Sequence, residues 1–209
     1  MKRYIVLISI ILMSCSNTKD SEKNIQDTLE FKKEEVLYSI DPNKVDIIWG
    51  GFKTTEKVKV VGVFEEFSFD RNGEFFPSIE ALLSGMKFEI QTNSSNSGDP
   101  IRDLNLTNNF FKLVTKEFII KGAFGDFEKD SVTVNFDLFS ESAPLKLAID
   151  FNNSVLQLKG KVNMKTQFKS SKAFDRIHEV CYELHKGNDG ISKTWEEVDI
   201  HIKASIITK

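Results

Sequence analysis

The sequence predicts an all-β protein with a few short helices, built around a single antiparallel β-barrel of about eight strands. The first observation is a strict alternation of apolar and polar residues from Val198 to Ile206, as expected when successive side chains of a strand point to opposite faces. The second is that the same alternation fills three consecutive segments between Ser131 and Met164, which predicts a meander joined by short turns. Such a sheet has one apolar face, which it must cover by packing on a second layer or by closing on itself.

Composition and charge limit the possible functions. The chain has 209 residues and a formal net charge of −3, and removal of residues 1–14, which contain Lys2 and Arg3, lowers that charge to −5. This weak acidity argues against nucleic acid as a partner, because nucleic-acid binding needs a basic face. The chain has 18 phenylalanines but only 3 tyrosines and 2 tryptophans. Because phenylalanine brings apolar area without a polar group, this predicts either a phenylalanine-rich core or a phenylalanine-lined cavity.

The first residues have the features of a secretory signal. A basic start is followed by an apolar run from Tyr4 to Met13, which is too short to span a bilayer. The sequence Leu12-Met13-Ser14-Cys15 resembles a bacterial lipobox, and this resemblance implies a signal peptide of residues 1–14 and lipidation of Cys15. The alternative is an ordinary signal peptide followed by a chance cysteine. Acyl chains would anchor the protein to a membrane, and Ser16 favours the outer membrane facing the periplasm, because Asp at that position resembles an inner-membrane retention signal.

The rest of the chain divides into a tether and one domain. Residues 15–35 are polar and charged and predict a flexible tether, whereas residues 36–209 predict the barrel domain. The domain opens with strands at 36–40 and 45–49, separated by a turn that contains Pro42, and Gly50-Gly51 predicts a break. A third strand is expected at 58–64, continuing to Phe69 across a bulge at Glu65-Glu66.

Two short helices are predicted in the middle of the chain. The first runs from Pro77 to Gly85. The second begins at Asp99-Pro100, because an Asp side chain accepts hydrogen bonds from the free N–H groups at a helix start. Proline fits the first helical position, since the backbone N–H that it lacks would have no partner in the helix. Arg102 and Asp103 follow as neighbours and cannot share a helix face. Either each pairs elsewhere and pins the loop, or the segment lies over the barrel mouth with its apolar residues on a ligand.

Several of these segments match one known family. The matching patterns are Tyr38-Ser39-Ile40-Asp41-Pro42, Val45-x-Ile47-x-Trp49, Val60-x-Gly62-x-Phe64-x-x-Phe67 and Arg102-Asp103-x-x-Leu106-x-x-x-Phe110-Phe111. Together they resemble the YceI-like family of bacterial envelope proteins. The resemblance implies a lipocalin-like barrel that binds polyisoprenoid-type lipids.

The second half of the chain predicts a strand, the meander, a helix and a closing strand. The first strand runs from 118 to 127, with Gly122 and Gly125 as points of bending or close approach. Apolar residues three and four apart predict a helix over Lys172–Lys186, with Gly187 as its stop. This helix either closes one end of the barrel or acts as a mobile lid. Cys181 lies on its apolar face and predicts an inert buried thiol.

No sequence pattern demands catalysis. The helix prediction places His178 and His185 two turns apart, too far to chelate one metal ion, and the chain lacks nucleophile-elbow, zinc-binding and phosphate-loop motifs. We therefore expect a non-enzymatic protein without a cofactor or metal.

These observations favour noncovalent binding of a polyisoprenoid or a similar long apolar lipid, such as an isoprenoid quinone, in the bacterial envelope. One alternative is a barrel filled by its own side chains that acts as an interaction module. Another is an enzyme that uses the cavity as a substrate tunnel. Oligomeric state stays open, a homodimer included. The candidate lining residues, assigned from alternation, are Trp49, Val60, Phe64, Phe88, Ile90, Leu106, Phe110, Phe111, Phe136 and Phe151.

Overall fold

The computed structural model describes residues 35–138 and 141–209, and Glu35–Lys209 form one compact unit. The predicted signal peptide, the lipidation site at Cys15 and the tether up to residue 34 lie outside the described residues. Within the described residues, no helix is both long and apolar enough to cross a membrane. The strands are β1 (Tyr38–Lys53), β2 (Val58–Phe64), β3 (Phe67–Phe69), β4 (Lys87–Gln91), β5 (Ser95–Asn96), β6 (Ile119–Glu128), β7 (Ser131–Leu138), β8 (Glu141–Asn152), β9 (Val155–Asn163) and β10 (Glu197–Thr208).

The strands form one curled antiparallel sheet in the order β3-β4-β6-β7-β8-β9-β10-β1-β2-β5. Strands β2 and β3 are consecutive in the chain but lie toward opposite edges of this sheet. The chain therefore crosses from one edge to the other at Glu65-Glu66, where the Glu65 N–H donates to the Ser94 carbonyl and the Gln91 N–H donates to the Glu66 carbonyl. Eight of the described strands have five or more residues, and the predicted fold class of a lipocalin-like barrel is confirmed.

The start of the domain differs from the prediction. Residues predicted as two strands separated by a turn form the single strand β1, whose register against β10 shifts between Ile40 and Val45. Gly50 and Gly51 do not end the strand, because Gly50 still pairs with Asp199 and Val61 on its two sides. Strand β3 is also not a continuation of β2, since it pairs with β4.

The predicted meander is confirmed as β7, β8 and β9, and it supplies much of the fully buried core. Val132 pairs with Leu147 across β7 and β8, and neither side chain is exposed to solvent. Leu82 reaches the same full burial. It belongs to α1 (Ile79–Leu83), which begins where the Ser78 hydroxyl accepts from the Ala81 N–H and which packs against β1. This end of the barrel is therefore filled by side chains.

The other helices pack together beside the barrel. Helix α2 (Pro100–Leu106) begins as predicted, with the Asp99 carboxylate accepting from the backbone N–H groups of Ile101 and Arg102. It continues into a π-helical segment (Thr107–Phe111) and α3 (Lys112–Val114). Two further helices, α4 (Met164–Phe168) and α5 (Ser171–Val180), follow β9.

Helix α5 is shorter than the predicted span of Lys172–Lys186, and Gly187 is not its stop. It ends at Val180, and a separate 3₁₀ turn follows at Glu183–His185. The apolar face of α5 packs on the core as far as Cys181, whereas Leu184 is 61% exposed. Another helical turn would have had no core to pack against, and packing is what stabilises short helices.

Candidate functional site

The barrel encloses a cavity of about 320 Å³ beside the packed core. Each of the eight longer strands contributes inward-facing apolar side chains to its wall. Further lining residues come from β3, from the end of α1, from α2, α4, α5 and the π-helical segment, and from the segment before β10. Its volume lies at the lower end of the range of about 300–1,000 Å³ found for small-molecule sites. The interior is therefore hollow, with a wall that is almost wholly apolar.

Nine of the ten residues predicted to line a cavity do line this one, although contact with a ligand stays a prediction. Six of the nine lie on β1, β2, β4 and β7, where alternate side chains of each strand point into the barrel. The other three lie on or just after α2. The nine are Trp49, Val60, Phe64, Phe88, Ile90, Leu106, Phe110, Phe111 and Phe136.

Phe151 is the exception, and its assignment to the cavity was wrong. Its side chain is 38% exposed and lies in a surface depression with Tyr38 and Ile149, where its ring meets that of Tyr38 edge to face at 6.0 Å. Alternation gave the correct side of β8, because Phe151 pairs with the buried Leu156. Alternation does not give the position of a residue along the barrel axis, because the strands of a barrel are tilted. Phe151 lies beyond the packed end.

Two glycines allow large aromatic rings to lie flat against the wall. A Cβ atom on Gly62 would overlap the Trp49 ring, and one on Gly122 would overlap the ring of Phe88. The indole N–H of Trp49 donates to the buried Ser95 hydroxyl at 3.1 Å, which fixes the ring. Gly122 is thus a point of close approach, as the sequence indicated.

Aromatic side chains on the π-helical segment join the helices to the barrel. Phe111 packs edge to face on Phe64 of β2 at 5.7 Å, and Phe110 packs on Phe174 of α5 at 5.3 Å. Both phenylalanines are more than 90% buried yet line the cavity. The segment therefore forms part of the wall and is held by two elements that are distant in sequence.

Arg102 and Asp103 pin the loop before α2. The Arg102 guanidinium donates to the Ser97 hydroxyl at 3.2 Å and to the Asp99 carboxylate at 3.3 Å, while Asp103 accepts from the Ser97 N–H at 3.0 Å. Each residue pairs elsewhere, as in the loop-pinning interpretation. Arg102 also lies at the cavity opening, so the loop that it holds forms part of the rim.

The opening carries polar groups that no local sequence pattern indicated. The Nδ1 atoms of His178 and His185 lie 3.0 and 2.6 Å from the Thr194 hydroxyl. The two histidines were expected two turns apart on one helix, and the end of α5 at Val180 is the reason that they meet. Burial, together with the charges of Lys53, His178 and Arg102, lowers the pKa of His185 to about 4, so its ring is neutral at neutral pH.

The interior of the cavity offers few groups that could act in catalysis or bind a metal ion. Cys181 is buried and free, and burial raises the pKa of its thiol, which makes it a poor nucleophile. Within residues 35–138 and 141–209, no group of three or more His, Cys, Asp or Glu side chains could hold a metal ion.

No family model matches the sequence, and no curated protein is significantly similar to it. Solved structures are similar in fold. A domain from Saccharophagus degradans, described as a polyisoprenoid-binding domain implicated in plant cell wall breakdown, is 10% identical, with 82% of this chain and 98% of that chain covered and a TM-score of 0.51. The chain has the fold of that domain. The YceI-like resemblance read from the sequence is thereby supported at the level of fold.

Two further structures are more loosely similar. BcnA from Burkholderia cenocepacia is 12% identical, with 81% of this chain and 99% of that chain covered and a TM-score of 0.48. The YCEI protein from Campylobacter jejuni is 18% identical, with 72% and 85% covered and a TM-score of 0.41.

Proposed function

We propose that this protein binds a polyisoprenoid or a similar long apolar lipid noncovalently in its cavity. The observation that carries the proposal is the hollow itself, since a barrel filled by its own side chains would leave no site. The apolar wall excludes a polar ligand from the interior, and the Saccharophagus degradans domain with this fold is described as polyisoprenoid-binding.

The size of the hydrophobic effect makes such binding feasible without any polar contact. Burying ~300 Å² of a hydrocarbon tail would contribute roughly 7 kcal/mol before binding costs, at ~25 cal/mol per Å². The lining of the cavity needs only to be apolar and accessible, which the nine predicted residues together with Ile200, Ile202 and Ala204 provide.

The opening supplies a place for a polar head group. Lys53, Arg102 and His185 lie there, and the two cations and the histidine ring can donate hydrogen bonds to a carbonyl or phosphate oxygen. The lipid would therefore enter tail first, with its head at the opening. An isoprenoid quinone and a prenyl phosphate both have this form, and we propose the cell envelope as the place of binding, with Cys15 as a lipid anchor.

A fluorescent prenyl probe tests the proposal. The delipidated protein should bind the probe at about one molecule per chain, and an unlabelled isoprenoid quinone should displace it. Ile200→Trp places a ring in the cavity and should weaken binding at least tenfold, whereas Val61→Trp, on an exposed position of β2, should not. Absence of probe binding, or equal binding by both variants, would overturn the proposal.

A further inference from the structure

Three apolar side chains around the cavity opening face the solvent. Ile101, Leu104 and Leu184 are 72%, 62% and 61% exposed. Ile101 and Leu184 both line the opening, and Leu104 lies three residues after Ile101 on α2 and so shares its face. We call these three residues the mouth rim. Single exposed apolar residues are ordinary, but a group of them at one edge marks a contact surface.

The fold does not account for the apolar character of the mouth rim. Leu106 is the residue of α2 that packs against the core, and none of the three rim residues does so. Helix α2 is held at its start by Asp99 and through Arg102, which are polar contacts. Polar residues at the three rim positions would therefore serve the fold equally well.

Cations and an aromatic ring accompany the rim. The Lys53 ammonium donates to the Leu184 carbonyl at 3.4 Å, and the Lys193 ammonium lies 4.3 Å from the centre of the Trp195 ring. In the part of the chain that the structure describes, neither lysine has a carboxylate within 4.0 Å. Exposed apolar residues beside lysines and tryptophan are typical of surfaces that lie at a bilayer interface with anionic head groups.

We propose that the mouth rim docks on the surface of an anionic lipid bilayer, so that the cavity opens directly onto the membrane. A long apolar ligand could then pass between bilayer and cavity without crossing water. The purpose of docking rests on the proposed lipid binding, but docking itself is a separate property and can be measured separately.

The path of β1 sets the distance that the segment before the domain must span if the mouth rim is to reach the membrane. The strand begins at Tyr38, at the packed end, and finishes at Lys53, beside the opening, so residue 35 and the mouth rim lie at opposite ends of the barrel. A straight strand of 16 residues spans about 50 Å. The segment from Cys15 to Glu35 can span at most about 70 Å when extended. An anchor at Cys15 would therefore permit the rim to reach a bilayer.

Site-specific labelling tests the docking. The full chain carrying Cys15→Ser and Cys181→Ala is given one new cysteine, Leu104→Cys at the rim or Ile207→Cys at the packed end, and labelled with an environment-sensitive dye. Cys181 is replaced because its thiol is free and lines the cavity. Vesicles of phosphatidylcholine with phosphatidylglycerol should shift the dye emission to the blue at 104 and not at 207. No shift at 104, or equal shifts at both sites, would overturn the proposal. A shift at 104 that appears without vesicles and depends on protein concentration would also overturn it, because a second copy of the chain would then cover the rim.

A substitution outside the cavity wall separates docking from ligand binding. Leu104→Ser in the same Cys15→Ser chain should weaken vesicle binding at least tenfold, the smallest effect expected for burying one leucine fully. It should leave binding of the prenyl probe from solution unchanged. Val61→Ser, 52% exposed on β2, is the matched control and should bind vesicles like the parent. Equal vesicle binding by Leu104→Ser and its parent would overturn docking. Probe binding lost in every chain would instead overturn the proposed function.

Discussion

Two buried alanines allow a direct test of whether the interior is hollow. Ala204 on β10 is 3% exposed and its side chain faces the cavity, whereas Ala173 on α5 is 1% exposed and does not line it. Replacing either with leucine adds three carbon atoms at an almost fully buried site. The two substitutions are thus matched in chemistry and burial and differ in the space beside them.

The structure predicts opposite effects on stability. At Ala204 the new atoms enter open space, so burial of about three methylene groups contributes ~2.4 kcal/mol, less ~0.5–1 kcal/mol for the lost rotamer freedom of leucine. Ala204→Leu should therefore stabilise the delipidated protein by about 1–2 kcal/mol. At Ala173 the neighbouring atoms must move, and overpacking of that kind costs ~1–3 kcal/mol.

Urea unfolding of the two delipidated variants and their parent, followed by circular dichroism, measures this difference. The free energies of unfolding should differ between the variants by at least about 2 kcal/mol, and Ala204→Leu should also bind the prenyl probe more weakly. If Ala204→Leu destabilises the protein as much as Ala173→Leu does, the interior at that height is packed and the reasoning from cavity to ligand is refuted.

Three further perturbations have defined outcomes. Gly122→Ala should destabilise the protein by about 1–3 kcal/mol in urea unfolding, because the added methyl group overlaps the Phe88 ring and must displace it. Trp49→Phe should cost about 1 kcal/mol in the same assay, because it removes the hydrogen bond to the Ser95 hydroxyl; an unchanged midpoint would contradict this. His185 has a folded-state pKa of about 4 against an ordinary value of 6.5, so the unfolded chain binds more protons between these values. The free energy of unfolding should have its full value above pH 6.5 and should fall toward pH 4 by no more than about 2 kcal/mol, because the partial exposure of His185 reduces the effect. His185→Gln should remove most of the pH dependence between these two values.

Alternation along the chain was sufficient to predict the meander, the closing strand and the side of each strand that faces inward. The reason is physical, since a half-buried strand admits only one register of apolar residues. Alternation does not report height in the barrel, which depends on strand tilt and on where the packed end lies. This is why Phe136 was placed correctly and Phe151 was not.

The helical elements were harder to predict because their ends depend on tertiary packing. Nothing local to Cys181 shows that the core stops there, so the apolar periodicity predicts a helix as far as Lys186, whereas α5 ends at Val180. A continuous helix to Lys186 would keep His178 and His185 two turns apart, so it does not predict that both meet Thr194 at the opening. Those three residues come from α5, a 3₁₀ turn and the segment before β10, and only the folded chain brings them together.

Native mass spectrometry of the protein isolated without denaturant tests the central claim most directly. We expect each chain to carry one bound molecule, which organic solvent extracts and which contains a long hydrocarbon chain. The Ile200→Trp variant should carry less of it. Protein that keeps the mass of the bare chain, both as isolated and after incubation with prenyl lipids, would contradict the account.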